Sequence, residues 1–242
     1  MLRTIALTVA CLLLARAAEA VDTYEACIAR VEADPAAGLT EALQWRDLGG
    51  GLAARHCVAL AYAANGDFRL AGVRMQEVAA GLETDNRDAA AQVWAQAGAV
   101  WLQGQEDALA AEAYGKAIAL DPDDPRLHLD LAHVLAAQKR FDAAASEVAA
   151  ALKLDDLLAD AYALQAMLLR RANRLDDADA ALANALALDP AQPMARMEQA
   201  LARARGGDIA GARTDLNDII AEDPEGNVAE TARRYLQELE LN

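Results

Sequence analysis

With 242 residues and a net charge of −16, the chain is long enough for one or two ordinary domains or for one elongated array. Its overall field opposes nucleic acid and anionic lipid, which excludes both as primary partners. The hydrophobic fraction of 55% is largely alanine and aromatics are only 4%, a composition that favours helices with closely approaching backbones over sheets.

Residues 1–20, "MLRTIALTVACLLLARAAEA", read as a cleavable leader: Arg3, an apolar stretch from Thr4 to Leu14, then Ala18-Glu19-Ala20 as a small-residue cleavage site. A retained anchor fits worse, because the apolar run is about half of the roughly 20 residues a spanning helix needs and Arg16 interrupts it. A lipid anchor at Cys11 fits worse again, with Thr8 where a Leu would be expected. No membrane insertion is expected after cleavage. Only three of the basic residues are Lys (Lys116, Lys139, Lys153), and this Arg excess, with so much Ala, hints at a GC-rich bacterial genome. The leader therefore points to the periplasm.

Residues 21–51 read as a helical hairpin broken near Pro35 and leaving through Gly49–Gly51. Cys27 lies here and Cys57 just beyond it. An even number of cysteines in an oxidising compartment is expected to pair as a disulfide, the alternative being two buried thiols that behave as small hydrophobes. Closing a loop of about 31 residues would contribute roughly 3–4 kcal/mol by the chain-entropy argument.

From residue 52 the chain repeats itself. Ala110, Ala144, Ala178 and Ala212 form one column at a step of 34, and Ala117, Ala151, Ala185 and Ile219 a second. Gly98, Ala132, Ala166 and Ala200 form a small-residue column, followed three residues on by Trp101, Leu135, Leu169 and Arg203. Unit ends give Pro122, Asp156, Pro190 and Pro224. Small residues let two helices cross closely, Trp94, Trp101 and Tyr114 fill the space beside that crossing, and proline stops the second helix. The turns fall at Gly66-Asp67, Gln105-Glu106, Lys139-Arg140, Asn173-Arg174 and Gly207-Asp208. Neither helix of a unit buries its apolar stripe alone, so neighbouring units must stack. Val228, Ala232, Tyr235 and Leu239 share one face of a closing helix in residues 227–242.

These columns resemble the tetratricopeptide repeat, a 34-residue helix–turn–helix unit. The match is fullest in residues 91–124, at Trp94, Ala97-Gly98, Trp101, Ala110, Tyr114, Ala117 and Pro122. Units 125–158, 159–192 and 193–226 follow without a gap. Unit 52–85 precedes them with Glu83 in the proline slot, and residues 86–90 are expected to lengthen the connection. The last unit departs, with Arg196 and Arg203 in aromatic slots. The resemblance implies an all-α solenoid of five units wound as a right-handed superhelix, whose first helices line a concave, peptide-accepting groove. The slots that would face this groove hold His56, Leu60, Gln92, Gln96 and Ala99. Further along come Arg126, Leu129 and His133, then Ala163, Met167, Arg170 and Arg171, and finally Met194, Met197, Leu201 and Arg205. The Lys–Asn pattern by which some relatives clamp a peptide carboxylate is absent. An apolar floor under an Arg rim suggests an acidic and apolar segment as partner.

Chemistry-bearing motifs are missing. There is no glycine-rich phosphate loop, CxxC, HExxH or nucleophile elbow. His128 and His133 are five apart and point to different sides of a helix, so no metal site is expected from them. His56 and Cys57 are adjacent and point apart, which disfavours a cysteine nucleophile. "DPDDP" at residues 121–125 lacks the glycine and terminal Glu of a calcium loop. The reading is a non-catalytic, cofactor-free periplasmic interaction module. The alternative is a self-associating envelope component with Met194 and Met197 in a subunit contact, and the oligomeric state stays open.

Overall fold

The computed structural model of the protein describes residues 21–240, and the expected leader, residues 1–20, lies outside them. The described residues form thirteen helices and no strand. In chain order these are α1 (Tyr24–Ala33), α2 (Pro35–Asp47), α3 (Gly51–Ala64), α4 (Phe68–Leu82), α5 (Arg87–Gln103), α6 (Asp107–Leu120) and α7 (Pro125–Ala137). There follow α8 (Phe141–Leu154), α9 (Ala159–Arg171), α10 (Leu175–Leu188), α11 (Pro193–Arg205), α12 (Ile209–Glu222) and α13 (Asn227–Glu240). Each packs on its chain neighbours, giving an all-α solenoid.

The turn inside each unit is a repeated device. Gly66, Gln105, Lys139, Asn173 and Gly207 all have positive φ, between 59° and 90°. At the turn after α5, the Gln105 N–H donates to the Leu102 carbonyl and the Glu106 N–H reaches back to Trp101, both at 2.9 Å. That pair of bonds satisfies the helix's last carbonyls and needs one residue in the left-handed region. Glycine and asparagine adopt that conformation at little cost, whereas Gln105 and Lys139 bear it. Starts are equally specific. Asp34, Asn86, Asp124, Gln192 and Asp208 each accept a backbone N–H of the helix they open, with Pro35, Pro125 and Pro193 at the first helical position.

Residues 86–90 do not lengthen a connection. Asn86 caps α5 at once, and Arg87–Ala90 add a turn to that helix, which runs 17 residues. An Ala-rich segment behind a good cap gains hydrogen bonds by continuing as helix.

The core is a thread of clusters along the array. The largest joins α3 to α7 around Met75, Trp94, Trp101 and Tyr114, and the alanines of the repeat columns beside them are fully buried. Glycine is obligatory at two of its crossings: a Cβ on Gly98 would stand 2.7 Å from the Tyr114 ring, and one on Gly72 would stand 2.5 Å from Trp101. Trp94 is 3% exposed, and its indole N–H donates to Glu83 at 2.9 Å, so the carboxylate in the proline slot anchors the ring. Towards the C-terminus the clusters become aliphatic. In the last unit Arg203 pairs with Asp215 and Arg196 with Glu222, so ion pairs across α11 and α12 replace aromatic filling.

At the other end, the Cys27 and Cys57 sulfurs stand at bonding distance with Cα atoms 6.3 Å apart, joining α1 to α3 where both side chains are fully buried.

Candidate binding surface

The first helices of the units, α3, α5, α7, α9 and α11, carry the side chains expected to face the groove. Their positions divide them into three groups. Gln92 and Arg126 are exposed. A cavity of about 310 Å³ lies between α5 and α7, lined by Gln92, Gln96 and Ala95 on one side and Asp121, Asp124 and Leu127 on the other.

A second group is consumed inside the protein. Leu129 and Met197 are each only 8% exposed and belong to the core, not to a groove floor. Met194 is half-buried where three clusters meet, and Met167 packs against the α7–α9 cluster. His56 is buried: its Nδ1 lies 2.7 Å from the Tyr24 hydroxyl and its Nε2 lies 2.6 Å from Gln96 Oε1. The tyrosine donates to one nitrogen and the other donates to the amide, which suits a neutral ring. Burial lowers the pKa of His56, against a smaller opposing effect of the Gln96 bond. This bridge from α1 through α3 to α5 holds the Gln96 amide at the groove wall.

The third group is the arginines, and here the structure departs from the expected rim. Arg170 grips Glu198 with two bonds, Nε to Oε2 at 2.5 Å and the second guanidinium nitrogen to Oε1 at 3.0 Å. Glu198 is 3% exposed. Burial works against the charge of Arg170, but Glu198 outweighs it with help from Tyr235 and raises the guanidinium pKa. Arg171 lies over the Phe141 ring, 4.5 Å from its centroid, on α8. Arg205 turns to Asp179 at 3.4 Å. Of the expected rim, Arg126 and Arg171 form no ion pair among the described residues, and Arg171 is held against a ring. The inference of an acidic partner loses much of its support, because Arg170 and Arg205 are answered by carboxylates within the array and Arg171 turns to α8.

Three carboxylates in the same slots went unpredicted. Asp130 lies one helical turn from Arg126, and its pKa is pushed up to about 6 by burial and then by Asp124, with Arg126 opposing. Asp160 accepts from the Gln192 amide at 2.9 Å. It also opposes the lowering of the His133 pKa that burial causes. Glu198 is the third. All three share a helix face with residues already assigned to the groove: Asp130 with Arg126 and Glu198 with Met194 at i, i+4, and Asp160 with Ala163 at i, i+3. That spacing was the available signal.

Among the described residues no group of three or more His, Cys, Asp or Glu is placed to hold a metal, and no helix is long and apolar enough to cross a membrane.

Two family models match, one described as "TPR repeat" over residues 100–139 and one as "Tetratricopeptide repeat" over residues 163–227. Among solved structures, the chain is similar to pilF of Pseudomonas aeruginosa at 13% identity, covering 88% of this chain and 95% of that one with a TM-score of 0.64. It is similar to residues 41-end of MamA from Desulfovibrio magneticus RS-1 at 18% identity, covering 70% and 92% with a TM-score of 0.58. A third likeness is to YrrB, described as a TPR protein with an unusual peptide-binding site, at 19% identity, covering 88% and 100% with a TM-score of 0.53. At these identities the likeness is one of fold. No curated protein matches the chain in sequence.

Proposed function

From the premise that this chain is a tetratricopeptide-repeat protein, we propose that it is a non-catalytic scaffold holding a segment of a partner protein against the first helices of the array. The observation that carries this reading is the open cavity between α5 and α7, where Gln92, Gln96, Asp121 and Asp124 present amides and carboxylates at its walls. An interaction fold with an open polar groove and no motif for chemistry is suited to binding. YrrB, a TPR protein with an unusual peptide-binding site, shares this fold and supports the reading.

The groove chemistry describes the segment. Asp121, Asp124 and Asp130 ask for hydrogen-bond donors from the partner, while Arg126 accepts one acidic group among them. A segment of mixed sign therefore suits this stretch better than an acidic one. Further along, Met167 and Met194 are largely taken up by the clusters of the array and add only their half-exposed edges.

The periplasm is the proposed compartment, supported by the leader-like residues 1–20 and by two cysteines placed to bond. The disulfide Cys27–Cys57 belongs to this proposal.

A photo-reactive amino acid at Gln92 or Arg126, compared with one at the exposed Leu70 or Val73 of α4, tests the reading in cells. The groove positions are expected to give a discrete protein adduct and the α4 positions none. Adducts from α4 alone would move the binding site to the outer surface.

A further inference from the structure

The seam between α8 and α9 holds a cavity of about 630 Å³, in the size range of small-molecule sites. Its origin is legible by stepping back one repeat. There, the seam between α6 and α7 has the buried ring of Tyr114 where this one has Val148. There too, the Gln138 side chain crosses the seam to donate to the Asp107 carbonyl at 2.8 Å. The residue equivalent to Gln138 is Ala172, which cannot reach across. One ring and one strap are missing at the same place, and the cavity is the space they leave.

Its charge is unusual for this protein. The turns after α3, α5 and α11 carry acids (Asp67, Glu106, Asp208), but the two turns flanking this seam carry Lys139-Arg140 and Asn173-Arg174. Arg171 and Arg174 line the cavity. A smaller cavity of about 380 Å³ shares Phe141 and Asp142 with it and adds Lys139 and Arg140. Asp177 answers Arg174 at 2.7 Å, whereas Arg171, Lys139 and Arg140 have no carboxylate partner among the described residues. Asp142 is the acid on this rim, and it sits in the first turn of α8. Two arginines line this cavity and two more cations line the one adjoining it, in a chain of net charge −16. Below them the reachable apolar wall is Ala145, Leu169 and Ala172, since Val148 and Leu168 are buried behind it and the Phe141 ring is already covered by Arg171.

We propose that this seam is a second binding site, for a free amphiphilic carboxylate whose aliphatic tail, about eight to ten carbons long, lies in part of the cavity. The tail displaces water from Ala145, Leu169 and Ala172, and the carboxylate meets Arg171 at the mouth, with Lys139 and Arg140 adding to the attraction. The site is built by α8 and α9 at the turn edge of the array and does not rest on the groove between α5 and α7.

Isothermal titration calorimetry of the full-length chain with decanoate, decanol and decyltrimethylammonium tests the proposal. Decanoate is expected to bind saturably at one site, decanol about tenfold more weakly for want of a charged hydrogen bond, and the cation not at all. Ala172→Gln, at an exposed position, restores the strap of the preceding seam and is expected to weaken decanoate at least tenfold. Arg171→Gln is expected to reduce decanoate to the level of decanol and leave decanol unchanged. Absence of saturable decanoate binding, equal binding by Ala172→Gln and the parent, or preference for a leucine-ended peptide over decanoate would each overturn it.

Discussion

Replacing Arg170 with Met tests the cross-unit pair that reshapes the expected rim. Arg170 on α9 and Glu198 on α11 are 28 residues apart, and their side chains are 19% and 3% exposed. Removing the guanidinium leaves a carboxylate with almost no water and two lost hydrogen bonds. Breaking a fully buried pair in this way costs roughly 3–5 kcal/mol, and the partial exposure of Arg170 lowers the expectation to about 2–4 kcal/mol. Replacing both partners, Arg170→Met with Glu198→Leu, removes the stranded charge and is expected to recover most of that loss. The assay is urea unfolding of the four chains of a double-mutant cycle followed by far-UV circular dichroism. Tryptophan emission would be blind to this end, because Trp45, Trp94 and Trp101 all lie in the first half of the chain. Since repeat arrays unfold in parts, hydrogen exchange in α9, α11 and α13 gives the local reading. A loss under about 1 kcal/mol for Arg170→Met, additive with that of Glu198→Leu, would refute the argument.

Four other outcomes follow from the packing, the titrating groups and the turns. Trp94→Ala is expected to cost about 3–5 kcal/mol in chemical denaturation, since the ring is 3% exposed in the main cluster. Asp130 binds its proton more tightly folded, near pH 6, than unfolded, near 3.8; its stabilising contribution is therefore full below 3.8 and lost as pH rises through 6. Asp130→Asn is thus expected to stabilise by about 1 kcal/mol at pH 7, after discounting for partial exposure, and to give no gain at pH 3.5. His56 has the opposite sign: its lowered pKa favours the fold above about 6.5 and that stability falls away in acid, so His56→Gln is expected to flatten the loss of melting temperature between pH 7 and pH 5. At the turns, Gly207→Ala is expected to cost about 1 kcal/mol and Lys139→Gly to cost nothing or to stabilise slightly, as thermal unfolding will register.

The solenoid was legible because its determinants are local and recur every 34 residues. The buried Trp94 and the fully buried Ala110 follow from column position alone, whereas the side chain against Gly98 is the Tyr114 ring, which the columns place only beside that crossing. The groove was less legible for a physical reason. Slot position tells which side of a helix a residue leaves from, but not whether a neighbouring unit closes over it. Leu129 and Met197 occupy groove slots and are covered by packing against the next helices. Arg170 looked like a free cation until Glu198 came beside it from the next unit, a step of 28 that a search along columns of 34 passes over. The seam cavity was written in the sequence as Val148 and Ala172 standing where Tyr114 and Gln138 stand one unit earlier, but a missing side chain becomes a cavity only when the flanking helices do not close the gap.

The most direct test of the central claim is the affinity of the captured partner for three chains: the parent, Gln92→Ala with Arg126→Ala in the groove, and Leu70→Ala with Val73→Ala on the exposed face of α4. The groove pair is expected to weaken binding at least tenfold with an unchanged melting temperature, while the α4 pair binds as the parent does. Loss of binding from the α4 pair with full affinity in the groove pair would contradict it.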